Sequence, residues 1–176
     1  MKKIIFISML FVTIFSVTGC GNDETSSKEA DGDENGKGSV SNGNMSYDES
    51  AENKLAFFTN SGCKYKDVTR ADSQQERIVY EATSDGGLMV SHNNISYCCV
   101  AEISSMASVQ DHVIKIYEKA EHNSDVDCVC PYDLMMKVGG LTQGSYTLMI
   151  GGNACHTISI PIEYSPDLKS EFVVVK

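Results

Sequence analysis

Read with a period of two, residues 127–150 divide into two faces. Cys128, Cys130, Tyr132, Leu134, Met136 and Val138 fall on one, all apolar or thiol, and Val129, Pro131, Asp133, Met135 and Lys137 fall on the other, which is mixed. Alternation of this kind is that of a half-buried strand, here with two cysteines pointing inward. Tyr146, Leu148 and Ile150 share one parity in the next run. Upstream, Ile78, Tyr80 and Ala82 alternate with Val79, Glu81 and Thr83, and Ser84-Asp85-Gly86-Gly87 follows with the chemistry of a hairpin turn, since Asp-Gly and Gly-Gly tolerate positive φ. Leu88 and Val90 then face inward, and His92-Asn93-Asn94 is expected to turn again. Ile95, Tyr97, Cys99, Ala101 and Ile103 form an apolar parity opposite Ser96, Cys98, Val100 and Glu102. Residues 109–118 are expected to form a strand with Ile114 and Ile116 inward, followed by a charged loop over 118–127. Ile158, Ile160, Ile162 and Tyr164 face inward in the penultimate run, where Pro161 marks an edge strand or a bulge. Leu55-Ala56-Phe57-Phe58 opens the folded part and residues 172–175 close it.

Short strands with frequent turn signals, and neither an alternation of strands with helices nor a helical repeat, predict an all-β fold. The expected class is an immunoglobulin-like antiparallel β-sandwich of about seven to nine strands. Leu141-Thr142-Gln143-Gly144-Ser145-Tyr146 entering a strand resembles the tyrosine corner of such sandwiches, in which the phenol hydroxyl bonds back to upstream backbone.

The N-terminal part has another character. Lys2 and Lys3 precede an apolar run over residues 4–17, too short to span a bilayer comfortably, which ends in Val17-Thr18-Gly19-Cys20. This order resembles the leader and lipobox of bacterial lipoproteins. The resemblance implies a signal peptide over residues 1–19, diacylation of Cys20, and anchorage in the cell membrane or outer membrane, facing periplasm or cell surface. Acyl chains hold a protein to a bilayer because each buried methylene contributes about 0.8 kcal/mol. Residues 20–53 are rich in Gly, Ser, Asn, Asp and Glu, and are expected to form a disordered acidic tether, because they cannot bury enough apolar surface to offset their conformational entropy. Asp31-Gly32-Asp33-Glu34-Asn35-Gly36 imitates half of a calcium-binding loop, but the twelfth position is Asn42 rather than a bidentate Glu. The acids close behind Cys20 also resemble the export tails of surface lipoproteins in Bacteroidota-type bacteria. The expected domain covers residues 54–176. Its formal net charge is −10 for the whole chain and becomes −12 without residues 1–19, which carry two lysines and no acid. So acidic a chain does not attract nucleic acid, and none is expected as a partner.

With Cys20 lipidated, Cys63, Cys98, Cys99, Cys128, Cys130 and Cys155 remain. An even number outside the cytoplasm is a disulfide framework by default, with fifteen possible connectivities for six cysteines. The shared parity of Cys99, Cys128 and Cys130 predicts a bridge from Cys98 or Cys99 to Cys128 or Cys130, leaving Cys63 with Cys155. The alternative is a zinc or copper site built from the thiolates of Cys98, Cys99, Cys128 and Cys130, with His156 as a further ligand.

His92, His112, His122 and His156 are scattered, and structural roles are expected of them. Asp111-His112 and Cys155-His156 lack the ordered partners of a nucleophilic triad, and the sequence has no Gly-x-Ser-x-Gly elbow, phosphate loop or dinucleotide fingerprint. Neither an enzymatic activity nor a cofactor is therefore expected. The succession Leu88, His92, Asn94, Cys98-Cys99, Cys128, Cys130, Tyr132-Asp133-Leu134, Leu141, Gly144 and Tyr146, over residues 78–150, is similar to a group of small cysteine-containing secreted lipoproteins of gut-type bacteria. That resemblance implies fold and address and no active site. The expected function is a membrane-anchored, non-enzymatic binding or adhesion module for a protein or glycan ligand; the alternative is a metal-handling periplasmic protein.

Overall fold

The computed structural model describes residues 38–64, 75–99, 101–121, 128–153 and 156–175. Ten strands lie within them: β1 (Ser39–Asn42), β2 (Leu55–Asn60), β3 (Arg77–Ala82), β4 (Leu88–Cys98), β5 (Glu102–Gln110), β6 (Val113–Glu121), β7 (Val129–Val138), β8 (Gly144–Gly152), β9 (His156–Tyr164) and β10 (Lys169–Val173). They form two five-stranded sheets, β1-β9-β8-β6-β5 and β10-β3-β4-β7-β2. The expected β-sandwich is thus present, with somewhat more strands than expected. Every pairing is antiparallel except that of β6 with β8, which is parallel from Val113↔Thr147 to Glu118↔Gly152.

The strongest alternations fold as their parity dictates. Cys130, Tyr132, Leu134, Met136 and Val138 are buried on β7, Tyr146, Leu148 and Ile150 on β8, and Ile158, Ile160, Ile162 and Tyr164 on β9. With Ile78, Leu88, Val90, Ile114 and Ile116 they make one continuous core between the sheets. The β3–β4 turn is closed by Thr83 N–H donating to the Gly87 carbonyl at 2.8 Å, with Gly86 at φ +80°. Lys137, hydrogen-bonded to Asp85, and then Thr83 hold the Asp85 carboxyl down at about 2. Pro161 occupies the half of β9 that β1, pairing only as far as Ser159, leaves uncovered, where no N–H is required.

Four local expectations are corrected. Residues 92–94 do not turn. β4 runs through them with a bulge between Asn93 and Ile95, and Asn94 adopts φ +61°. The parity therefore changes within one strand: Leu88, Val90 and His92 are buried before the bulge, and Ile95 and Tyr97 after it. The apolar parity running to Ile103 is not one strand: β4 ends at Cys98 in one sheet and β5 begins at Glu102 in the other. Residues 109–118 belong to two strands, separated by Asp111 and His112 at φ +49° and +63°. Two successive left-handed residues give a tight hairpin, a conformation that Asp and His tolerate better than most. Finally, the folded part begins before residue 54. β1 pairs with β9 although all four of its side chains are exposed, because an edge strand is held by backbone hydrogen bonds rather than by burial. Asn42, the twelfth position of the calcium-like pattern, lies in β1. Met45 then tucks in at 8% exposure, and its N–H donates to Gly152.

The tyrosine corner forms. The Tyr146 hydroxyl donates to the Thr142 carbonyl at 3.0 Å and accepts from the Thr142 N–H at 3.3 Å, pinning the β7–β8 crossover to the first turn of β8. The Leu141 N–H reaches the Gly86 carbonyl and ties the same crossover to the β3–β4 turn. Replacing Tyr146 with Phe is expected to lower stability by about 0.5–2 kcal/mol without changing the fold, because it leaves both Thr142 backbone groups without the phenol. A urea midpoint equal to that of the wild type would contradict this.

Candidate functional site

Glu76 has the parity of Ile78 and Tyr80, His92 that of Leu88 and Val90, and Glu118 that of Ile114 and Ile116. All three therefore point between the sheets, His92 from β4 and Glu118 from β6 on the opposite sheet, and they are 4%, 1% and 1% exposed. His92 Nδ1 lies 2.9 Å from Glu118 Oε1, and His92 Nε2 lies 3.0 Å from Glu76 Oε1. His156, at the start of β9, places Nε2 2.7 Å from the same Glu76 oxygen. The Tyr97 hydroxyl donates to Glu118 Oε2 at 2.9 Å.

Both ring nitrogens of His92 face carboxylate oxygens, so both carry protons when those carboxylates are ionised. Burial by itself pulls the His92 pKa down. The Glu118 charge, the hydrogen bonds from Glu118 and Glu76, and the Glu76 charge outweigh it and raise the pKa to about 9. For Tyr97, burial acts first, then the Glu118 charge and hydrogen bond, and together they push the phenol far above its ordinary value. A charged imidazolium thus joins the two sheets through two acids. Of the histidines and acids in this cluster, only His156 reaches the surface, at 16% side-chain exposure.

The second constellation lies beside the first. Cys99 is bridged to Cys128, and Cys63 to Cys130. The sulfurs of Cys63, Cys99 and Cys130 all lie within 4.8 Å of one another. The two constellations meet through rings. Tyr97 and Tyr132 pack edge to face at 6.1 Å, and the Tyr132 hydroxyl donates towards the Cys98 and Cys99 carbonyls at 3.0 and 3.1 Å.

Cys99–Cys128 is among the pairings that parity predicts. Cys63 with Cys155 is corrected to Cys63 with Cys130, and Cys155 lies outside the described residues. After β2 the chain remains strapped to β7, through Ser61 N–H to the Asp133 carbonyl at 2.9 Å and Lys64 N–H to the Pro131 carbonyl at 3.0 Å, which places Cys63 beside Cys130. The metal-ligand set that the sequence offers as the alternative is not the one brought together. The sulfur group holds Cys63, Cys99 and Cys130 and neither Cys98 nor Cys128, and His156 is engaged with Glu76. Cys98 ends β4 on its outer parity opposite Val129, half-buried. His112 is the second residue of the β5–β6 turn, its ring 5.3 Å from that of Tyr146, and His122 and Cys20 lie outside the described residues. The carboxylate–imidazole cluster itself was missed, although the parities of Glu76, His92 and Glu118 announce it.

Close backbone contact finishes this end of the sandwich. A Cβ on Gly152 would run into the backbone carbonyl of Glu118, so β8 approaches β6 here as only glycine allows. No family model, no curated protein and no solved structure matches the chain.

His92 takes its proton more readily in the folded chain than unfolded, at about 9 against 6.5. Its contribution is therefore fully present below pH 6.5 and is lost as the pH rises through 9. Urea midpoints are expected to fall across that window. In His92→Gln the fall should disappear, and stability should drop by about 3–5 kcal/mol at pH 6, because two buried carboxylates lose their cation. A His92→Gln protein as stable as the wild type at pH 6 would contradict a charged His92.

Proposed function

We propose that this chain is a lipid-anchored protein of the bacterial envelope whose sandwich serves as a non-enzymatic binding module for a protein or glycan. The anchor is supported by the ordered sequence of Lys2-Lys3, apolar run and Val17-Thr18-Gly19-Cys20. An oxidising address is supported by the two disulfides. The observation that carries the binding reading is the division of chemistry between inside and outside. The clustered acids and imidazole, Glu76, His92 and Glu118, are turned into the core. The outer face of β10-β3-β4-β7-β2 instead presents Phe57 at 46% exposure and Met135 at 42%. In register with them are Lys137, Met89, Thr59 and Ser91. An aromatic ring and thioethers set among hydroxyls and a cation combine apolar contact area with hydrogen-bonding groups, as recognition surfaces do.

Two measurements test this. Cys20→Ala is expected to release the protein from the membrane fraction; equal retention of variant and wild type overturns the anchor. On an array of defined glycans and purified envelope proteins, the wild type should retain at least one ligand without turnover, and Phe57→Asp with Met135→Lys should lose it. Binding no tighter than about 1 mM across the array, or equal retention by the double variant, overturns the binding face.

A further inference from the structure

We propose that the dithiol form of this protein holds one Zn²⁺ between Cys63, Cys99, Cys128 and Cys130. Three of these sulfurs already lie within 4.8 Å of one another, and the fourth, on Cys128, is bonded to one of the three. Tetrahedral zinc with thiolate bonds of about 2.3 Å needs sulfurs a little under about 4 Å apart, so on reduction the two bonded pairs open to that spacing and the Cys128 sulfur, outside the group of three, turns in to join them.

The cluster does not depend on the sulfur–sulfur bonds for its assembly. Cys130 sits within the β4–β7 ladder, opposite Tyr97. The Cys99 N–H donates to the Cys128 carbonyl at 3.1 Å. The Cys63 segment is strapped to β7 by the backbone bonds of Ser61 and Lys64, and Lys64 Nζ reaches Asp133 at 2.7 Å and Asn94 at 2.6 Å. Three segments distant in sequence thus deliver their cysteines to one place through main-chain contacts, which opening the bridges leaves in place. Four thiolates with no competing carboxylate in the sulfur group are a ligand set that zinc prefers to magnesium or calcium.

The two states exclude each other, and the conversion balances. Each bridge accepts two electrons and two protons from a dithiol reductant, which leaves as a disulfide. The four thiols then lose four protons as the cation binds. The domain is consequently closed by sulfur–sulfur bonds under oxidising conditions and by a metal under reducing ones.

The test uses the full chain reduced by a dithiol, with ZnSO₄ as the probe. One Zn²⁺ per chain should bind, with retained or restored far-ultraviolet strand signal, and Co²⁺ in its place should show thiolate-to-metal charge transfer. Cys63→Ser should weaken zinc by more than the roughly 10–100-fold typical of losing an outer-shell partner. Cys98→Ser and His156→Ala should bind as the wild type does, and the oxidised chain should bind none. The proposal is overturned by less than one zinc per reduced chain, by equal binding in Cys63→Ser, by equal binding in the oxidised chain, or by a reduced chain that unfolds and is not refolded by zinc.

Discussion

The bulge at Asn94 is the constraint on which both constellations rest. A strand presents alternate residues to opposite faces, so one regular strand cannot bury both His92 and Tyr97. The extra residue shifts the parity by one and turns both inward. Without it, either the imidazole or the phenol would leave Glu118, and Cys99 would follow the phenol's parity away from Cys128. The bulge is held as firmly as its consequences require. The Asn94 N–H donates to Asp133 Oδ1 at 3.0 Å, and its side-chain oxygen accepts from Lys64, which also bridges to Asp133. Because Lys64 follows Cys63, the residue that pins the bulge also brings the third strand segment to the sulfurs.

The buried ion cluster gives one end of the sandwich a character that the apolar core lacks. Hydrophobic side chains accept many sliding arrangements of one sheet on another. An imidazolium on β4 and an acid on β6 accept few, since a misaligned pair leaves a charge uncompensated at high cost. Gly152 belongs to the same device. The absence of a side chain lets β8 close on the backbone of Glu118. The parallel pairing of β6 with β8 brings these residues into register, Glu118 opposite Gly152.

The sequence disclosed the parts of the fold that depend on burial, and concealed the parts that depend on backbone alone. β7, β8 and β9 are visible because each alternates over several turns of the pleat, and the β3–β4 turn because Asp85-Gly86 favours a specific conformation. The tyrosine corner is visible because its glycine and tyrosine keep a fixed spacing. β1 is invisible to such reasoning, as an edge strand of exposed residues has no pattern to read. The Asp111-His112 turn hides because neither residue is glycine. The bulge hides because His92-Asn93-Asn94 reads equally as polar turn or as buried strand, and only the parity of Glu76 and Glu118 favours the second. Cys63 found an unexpected partner because parity tells which faces sulfurs share and not which strands are neighbours.

The two bridges are nested, Cys99–Cys128 within the loop closed by Cys63–Cys130. This has a mechanical consequence. Tension applied between the ends of the chain passes from Cys63 to Cys130 through a covalent bond and bypasses the 67 positions that separate them. β3, β4, β5 and β6 lie wholly inside that detour and cannot be stretched out, which conceals about 230 Å of extended chain. β1 and β2 on one side, and the part of β7 beyond Cys130 with β8, β9 and β10 on the other, carry the load. Pulled from its N-terminus, the molecule would peel first at β1, a four-residue strand without a buried side chain, while the locked middle keeps its length until the sulfur bonds are reduced.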